Sequence, residues 1–327
     1  TYTVGGSVNF TVGGESRELG LFPAPITVRP QPLLEVNYFL PSVVQADDPF
    51  TPPVEAPIPF SLGARVVNRG YGAAGNLKIE SGQPQIVENL QGLLIAFRLL
   101  GTSVNGQPVE PTLNATFGTI PPMDCGIATW DMVTTLSGEF ISFDASYTHS
   151  PELGGDLTSL IDTVTSYVLV REMLVDVPGR DDRRDFLTDI DRDPENVPDQ
   201  IFESDCSELP VFQVMGTTTG IPAVSGGDVD LTTDILPNWV FSRVDDPAQG
   251  LTPLVGVTRS DGKVLRPENF WISRVQNEDN RAQYFYFANI VDRDTTGSYT
   301  LHYQASPPDS TPPVTQIIFP PPSFGSD

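Results

Sequence analysis

The side chains best suited to chemistry in this chain are aspartates crowded into one segment. Asp189-x-Asp191-x-Asp193 places three carboxylates at alternating positions, as calcium loops do. Pro194 stands where such a loop turns at glycine, and Gln200 stands where its bidentate glutamate belongs. The pattern therefore favours an irregular inter-domain calcium site over a helix-loop-helix site, and a solvated acidic linker is the alternative. The candidate ligands are Asp181, Asp182, Asp185, Asp189, Asp191 and Asp193.

The chain contains few residues suited to acid-base catalysis near neutral pH. His149 and His302 are the two histidines of the chain, and histidine is the side chain that changes charge near neutral pH. Neither accompanies a Gly-x-Ser-x-Gly elbow or a cysteine-nucleophile signature, and both fall in or at the end of strand patterns. A glycosidase-like carboxylate pair carries no weight, since 42 acidic residues produce such pairs by chance. We therefore predict no catalytic residue, no enzyme and no required cofactor, with calcium the one ligand favoured.

Aromatic residues offer a second kind of site. In the run from Tyr284 to Phe287, alternation places Tyr284 and Tyr286 on one face of a strand and the two phenylalanines on the other. One pair must face the core, and the other is free to stack on a sugar ring. We name Tyr284 and Tyr286 as the candidate carbohydrate contacts, with core packing as the alternative.

Cys125 and Cys206 are the two cysteines of the chain, and an oxidising extracellular setting allows such a pair to persist as a disulfide. The bond would close a loop of about 80 residues and remove roughly 4 kcal/mol of unfolded-chain entropy. Two separately buried thiols are the alternative. Asn9 and Asn114 each begin an Asn-x-Thr glycosylation pattern, which is used only where the host glycosylates secreted proteins.

The charge balance limits the partners. Forty-two Asp and Glu against 18 Lys and Arg give a formal charge of −24, which repels nucleic acid phosphates and anionic lipid headgroups. No run reaches the roughly 18 apolar residues needed to cross a bilayer. We therefore expect neither nucleic-acid binding nor membrane insertion of this segment.

The elements that must position these side chains are strands. Abundant Val, Thr and Phe with 32 Pro and 28 Gly describe short strands joined by tight turns, and the alternation predicts an all-β fold of tandem Ig-like sandwiches. Residues 1–29 are interpreted as a hairpin or the end of a preceding module, and 30–174 as a first sandwich. An acidic linker is predicted at 175–208, a second sandwich at 209–306, and a Pro-rich linker to a further module at 307–327. We expect the chain to be a piece of a longer polypeptide.

The first sandwich carries a resemblance. The run Val66-Val67-Asn68-Arg69-Gly70-Tyr71-Gly72-Ala73-Ala74-Gly75-Asn76-Leu77-Lys78-Ile79 resembles the strand, Asn, Gly-rich turn and strand signature of CARDB-type Ig-like domains of large cell-surface proteins. The resemblance covers about Pro30 to Glu172 and departs from the usual bacterial pattern at Cys125. It implies an adhesion-related or spacer module and brings no catalytic residues with it.

Together these observations predict a non-enzymatic, extracellular or cell-surface module, structural or adhesive, within a larger surface or filament-forming protein. Its partners would be other domains of the same chain, other copies in an assembly, or glycans. The alternative is a carbohydrate-binding module, assisted by calcium.

Overall fold

Period-2 alternation governs the architecture, as the composition predicts, and the chain is all-β. The computed structural model describes residues 2–47, 54–81, 84–86, 96–143, 146–148, 161–192, 196–277, 280 and 283–305. The chain divides into unit 1 (Thr1–Gln213 with Asn238–Phe241) and unit 2 (Val214–Pro237 with Ser242–Asp327). His149 and the predicted linker at 307–327 lie outside the described residues, and the predicted domain limits stay predictions.

Unit 1 begins with a ribbon of two consecutive two-stranded sheets, which we define as Tyr2–Ile26. Its strands are β1 (Tyr2–Val4), β2 (Ser7–Val12), β3 (Glu15–Gly20) and β4 (Ala24–Ile26), with β2 paired to β3 and β1 to β4. Gly13 and Gly14 have φ values of 63° and 86° and form the two-residue turn that joins β2 to β3. Every residue described in the ribbon is exposed.

The rest of unit 1 contains a large sheet and two small ones. The large sheet has the order β11-β10-β13-β7-β5-β16-β17-β18-β19, and the small sheets are β12-β8-β15 and β6-β14-β9. The strands are β5 (Leu34–Leu40), β6 (Val43–Val44), β7 (Phe60–Asn68), β8 (Ala74–Ser81), β9 (Pro84–Ile86), β10 (Phe97–Val104), β11 (Gln107–Val109), β12 (Ala115–Ile120), β13 (Cys125–Thr134), β14 (Gly138–Phe143), β15 (Ser146–Thr148), β16 (Ile161–Met173), β17 (Asp185–Asp189), β18 (Gln200–Phe202) and β19 (Glu208–Val214). One pairing, β16 with β5, is parallel.

Apolar side chains cover both faces of the large sheet. On one face, even-numbered residues of β5, β7 and β13 pack against β8 and β12 as in a sandwich, with Trp130 fully buried among them. On the other face, Phe39 stacks on Phe186 with ring centroids 4.1 Å apart. Gly63 makes room for this second cluster, since a Cβ there would lie 2.2 Å from Cε1 of Phe186.

Unit 2 is a sandwich of two sheets. One has the order β20-β21-β26-β23, and the other contains β25, β24 and residues 242–245 of β22. The strands are β20 (Gly216–Thr219), β21 (Gly226–Thr233), β22 (Trp239–Asp245), β23 (Leu254–Arg259), β24 (Phe270–Gln276), β25 (Tyr284–Arg293) and β26 (Ser298–Gln304), with a 3-10 turn at Pro267–Asn269. Leu301 of β26 and Ile290 of β25 are buried in the core between the sheets.

The acidic segment differs from the predicted linker. It contains β17 and β18, and all five residues of β17 are buried. The physical reason is that backbone N–H groups satisfy its buried carboxylates, while Phe186 and Phe202 fill the core. The high local charge obscured the short apolar pairs Phe186-Leu187 and Ile201-Phe202.

Candidate functional site

The predicted calcium ligands separate into different environments. Asp189 and Asp191 come together, and they are joined by Asp199, whose position the sequence pattern missed. One carboxylate oxygen from each lies within 4.8 Å of the others. Asp193 lies outside the described residues. Such a group of oxygen donors matches what a hard divalent cation prefers.

Local turns explain how the three carboxylates converge. Asp189 ends β17 and is buried, and its Oδ1 accepts a hydrogen bond from the backbone N–H of Arg192 at 2.6 Å. Asp199 directly precedes β18, and its carboxylate accepts from the N–H of Ile190 at 2.9 Å and of Asp191 at 3.4 Å. The pairing of β17 with β18 therefore returns Asp199 to the end of the strand that Asp189 occupies. Only this strand pairing could have placed Asp199 near Asp189, and it can be predicted only if the acidic segment is first recognised as strands.

Asp185 serves the fold. Its carboxylate accepts from the backbone N–H groups of Val175 at 2.7 Å and Ser204 at 2.6 Å, which holds the two ends of the acidic segment together. Burial raises the pKa of Asp185 to about 7, and these two N–H donors oppose the shift.

Asp181 is bound to the guanidinium of Arg183 at 2.6 Å and to the hydroxyl of Ser204 at 2.9 Å. Burial acts to raise its pKa, but these hydrogen bonds outweigh it and the pKa of Asp181 is lowered. Asp182 is exposed. Neither Asp181, Asp182 nor Asp185 belongs to the group of three described above.

Cys125 and Cys206 form a disulfide, with Cα atoms 5.8 Å apart. Cys125 is the first residue of β13, and Cys206 lies in the turn between β18 and β19. Both cysteines belong to unit 1. The bond therefore ties the acidic segment to the central strands of unit 1, across 81 residues of sequence.

Buried charges reinforce the same region. The guanidinium of Arg65, fully buried, pairs with Glu208 and lies 4.7 Å from the ring centroid of Phe202. Glu203, also buried, accepts from Nε1 of Trp239 at 2.8 Å and pairs with Arg180 at 3.0 Å. Arg65 and Glu203 thus each have a charged partner, which offsets part of the cost of their desolvation.

The two tyrosines named for carbohydrate share a face with the core of unit 2. Both are half-buried, and Arg274 lies 4.5 Å over the ring of Tyr284. Tyr286 packs beside Gly250, where a Cβ would meet its ring at 2.4 Å. The more exposed ring is Phe285 on the opposite face, at 55% exposure, beside its cross-strand partner Val275.

The two glycosylation candidates, Asn9 in β2 and Asn114 just before β12, are both exposed. Within the described parts of the chain, no helix has the length and apolar character to span a bilayer.

No family model matches this chain, and no curated protein matches it.

Proposed function

We propose that this chain is a non-enzymatic structural or adhesive module of a larger secreted or cell-surface protein, built of tandem Ig-like sandwiches. The resemblance of residues 30–172 to CARDB-type domains belongs to this proposal. The disulfide supports the extracellular setting, because such bonds persist in oxidising compartments. Its partners are other domains of the same protein or other copies in an assembly.

The observation that carries the proposal is the apolar face of the ribbon. Val8 lies opposite Leu19 in the β2–β3 ladder, and Tyr2 lies opposite Ile26 in the β1–β4 ladder, so the two side chains of each pair share a face of their ladder. All are exposed, at 47%, 57%, 65% and 44% respectively. The opposite face carries polar residues, among them Asn9.

A two-stranded ribbon is at best marginally stable in water, and an exposed apolar sheet face favours association. A face of this kind suits a module that packs against another β surface. The sequence-based interpretation of residues 1–29, a hairpin or the end of a preceding module, leads to the same expectation that this segment packs against another module.

Photo-cross-linking of the full-length protein in its native setting tests this role. A photoreactive phenylalanine analogue at Phe10, on the apolar face, is expected to cross-link to another module or another copy of the protein. The same analogue at Thr11, on the polar face, is the control and is expected to cross-link far less. Equal and low yields at both positions would count against the proposal.

The second candidate is a carbohydrate-binding module assisted by calcium, and the convergence of Asp189, Asp191 and Asp199 supports its calcium part. Glycan-array binding that is lost on changing Tyr284 and Tyr286 to Ala would favour it.

Calcium binding is testable separately from glycan binding. Calcium at 100 times its Kd would stabilise unit 1 by about 2.7 kcal/mol, because the ion binds only the folded state. Asp199→Asn is expected to abolish the calcium-induced rise in Tm, whereas Asp230→Asn, at an exposed acid of unit 2, leaves it unchanged. A chain whose Tm does not respond to calcium would refute this part.

A further inference from the structure

His302 of unit 2 is hydrogen-bonded through both ring nitrogens to side chains of the neighbouring strands. Its Nδ1 lies 2.8 Å from Oδ1 of Asp228 in β21, and its Nε2 lies 2.9 Å from Oγ1 of Thr258 in β23. Asp228 is the direct cross-strand partner of His302. Leu301 and Tyr303, its neighbours in β26, are buried in the core, so alternation places His302 on the solvent face of the sheet.

One neutral tautomer of His302 fits both of these contacts. An ionised carboxylate is an acceptor only, so Nδ1 of His302 carries the proton that is donated to Asp228. In the neutral imidazole, Nε2 then holds a lone pair and accepts the hydroxyl proton of Thr258. The three side chains form a hydroxyl, imidazole and carboxylate series, the order in which a base activates a nucleophile and a third group orients the base.

The backbone leaves room beside this series. Gly256 of β23 is paired directly with His302, and a Cβ built on it would lie 3.4 Å from Cδ2 of the imidazole. Because glycine has no side chain, residue 256 places nothing over that edge of the ring. The side chain of His302 is 36% exposed and that of Asp228 is 68% exposed, so a small molecule has access from solvent.

We propose that Thr258 is a nucleophile that accepts an acyl group from a carboxylic ester. Oγ1 of Thr258 attacks the ester carbonyl carbon while its proton passes to Nε2 of His302. The tetrahedral intermediate collapses, the bond to the leaving alcohol breaks, and Nε2 returns the proton to the leaving oxygen. The products are an acylated Thr258 and a free alcohol.

Asp228 is a positioning residue in this reaction, since it fixes the tautomer and touches no reacting atom. The proposal goes beyond the structural role of the chain and does not depend on it, because a spacer or adhesive module can carry a reactive hydroxyl.

The neighbouring pair on the same sheet face supplies a matched control. Thr300 lies two residues before His302 in β26 and therefore on the same face of the sheet, and its hydroxyl lies 3.4 Å from Oδ1 of Asp230. Thr300 thus has a carboxylate neighbour with no imidazole between the two groups.

The test is incubation of the whole chain with p-nitrophenyl acetate, followed by peptide mass spectrometry and by the release of p-nitrophenol. We expect one acetyl group on Thr258 and one equivalent of p-nitrophenol per chain, and Thr258→Val abolishes both while Thr258→Ser retains them. His302→Gln is expected to lower the rate about 100-fold, the lower range for a general base. Thr300→Val changes nothing.

Two further measurements separate reactivity from folding. Circular dichroism establishes that each variant keeps its strands. Nitrogen NMR of the labelled imidazole is expected to show that Asp228→Asn redistributes the proton between Nδ1 and Nε2. The same variant is expected to acylate Thr258 more slowly. A purely structural hydrogen bond between Asp228 and His302 would leave the acylation rate unchanged.

Acetylation of Thr258 no faster than that of Thr300, together with p-nitrophenol release unchanged in His302→Gln, would overturn the proposal. The three side chains would then be a cross-strand hydrogen-bond ladder.

Discussion

Replacing Glu172 by Gln is expected to stabilise unit 1 above neutral pH and to leave it little changed in mild acid. Glu172 lies near the end of β16 with a side chain only 11% exposed. Its Oε1 has no hydrogen-bond partner among the described residues, and the guanidinium of Arg184 is 3.8 Å away. Burial, with a smaller contribution from the charge of Asp131, raises the pKa of Glu172 from 4.5 to about 7.

The direction follows from linkage. The folded state holds its proton to a higher pH than the unfolded state does, so the contribution of Glu172 to stability is largest below pH 4.5. That contribution is lost as the pH rises from 4.5 through about 7. A difference of about 2.5 pKa units corresponds to roughly 3 kcal/mol over the whole window, of which about 2.5 kcal/mol falls between about pH 5 and 8.

Urea unfolding of the two proteins at several pH values measures this effect. Glutamine does not titrate, so the stability difference between Glu172→Gln and the wild type is expected to grow by about 2 to 3 kcal/mol from about pH 5 to pH 8. Glu110, an exposed acid of unit 1, provides the control, and Glu110→Gln is expected to give a flat difference. A flat difference for Glu172→Gln as well would refute the reasoning.

Two further predictions concern the covalent and steric frame of unit 1. Changing both Cys125 and Cys206 to Ala is expected to lower the free energy of unfolding by about 4.5 kcal/mol in non-reducing urea titrations, since the disulfide closes a loop of 81 residues; an unchanged midpoint would contradict this. Gly63→Ala is expected to cost about 3 kcal/mol because its Cβ would meet the ring of Phe186 at 2.2 Å. Gly75→Ala, with open space around the new Cβ, is the control, and equal Tm losses in the two variants would show that the ring moves freely.

Local patterns were sufficient for the fold class and for the tight turns. Alternation with Pro and Gly punctuation predicted an all-β chain, and Gly13-Gly14, a pair typical of hairpin turns, forms the turn between β2 and β3. Asp261-Gly262, a pair typical of hairpin turns, also forms a turn, with Gly262 at φ 90° and the N–H of Arg259 donating to the carbonyl of Lys263. Turns are legible because glycine conformation and side-chain alternation are properties of neighbouring residues.

Non-local pairing could not be predicted in the same way. The parallel register of β16 with β5 joins residues more than a hundred positions apart, and no local signal specifies it. The acidic segment was interpreted as a linker because its charge was weighed without the N–H donors that satisfy Asp185. Asp199 was not predicted as a ligand because only the pairing of β17 with β18 brings it close to Asp189.

The disulfide between Cys125 and Cys206 was predicted correctly because a chain with two cysteines has a single intramolecular pairing. The face occupied by Tyr284 was ambiguous in the sequence. A strand pattern gives which residues share a face, but the packing of the second sheet decides which face is buried.

Trypsin cleavage at Arg17, in the exposed ribbon, tests the central claim most directly. The side chain of Arg17 is 60% exposed in the chain described here, so the isolated chain is expected to be cut there rapidly. In the native full-length protein, the proposed packing of this module against another β surface predicts that Arg17 is strongly protected from trypsin. Arg98, an exposed residue of β10, is the control and is expected to be cut at the same rate in both preparations. Equal cleavage of Arg17 in the isolated chain and in the native assembly would contradict the account.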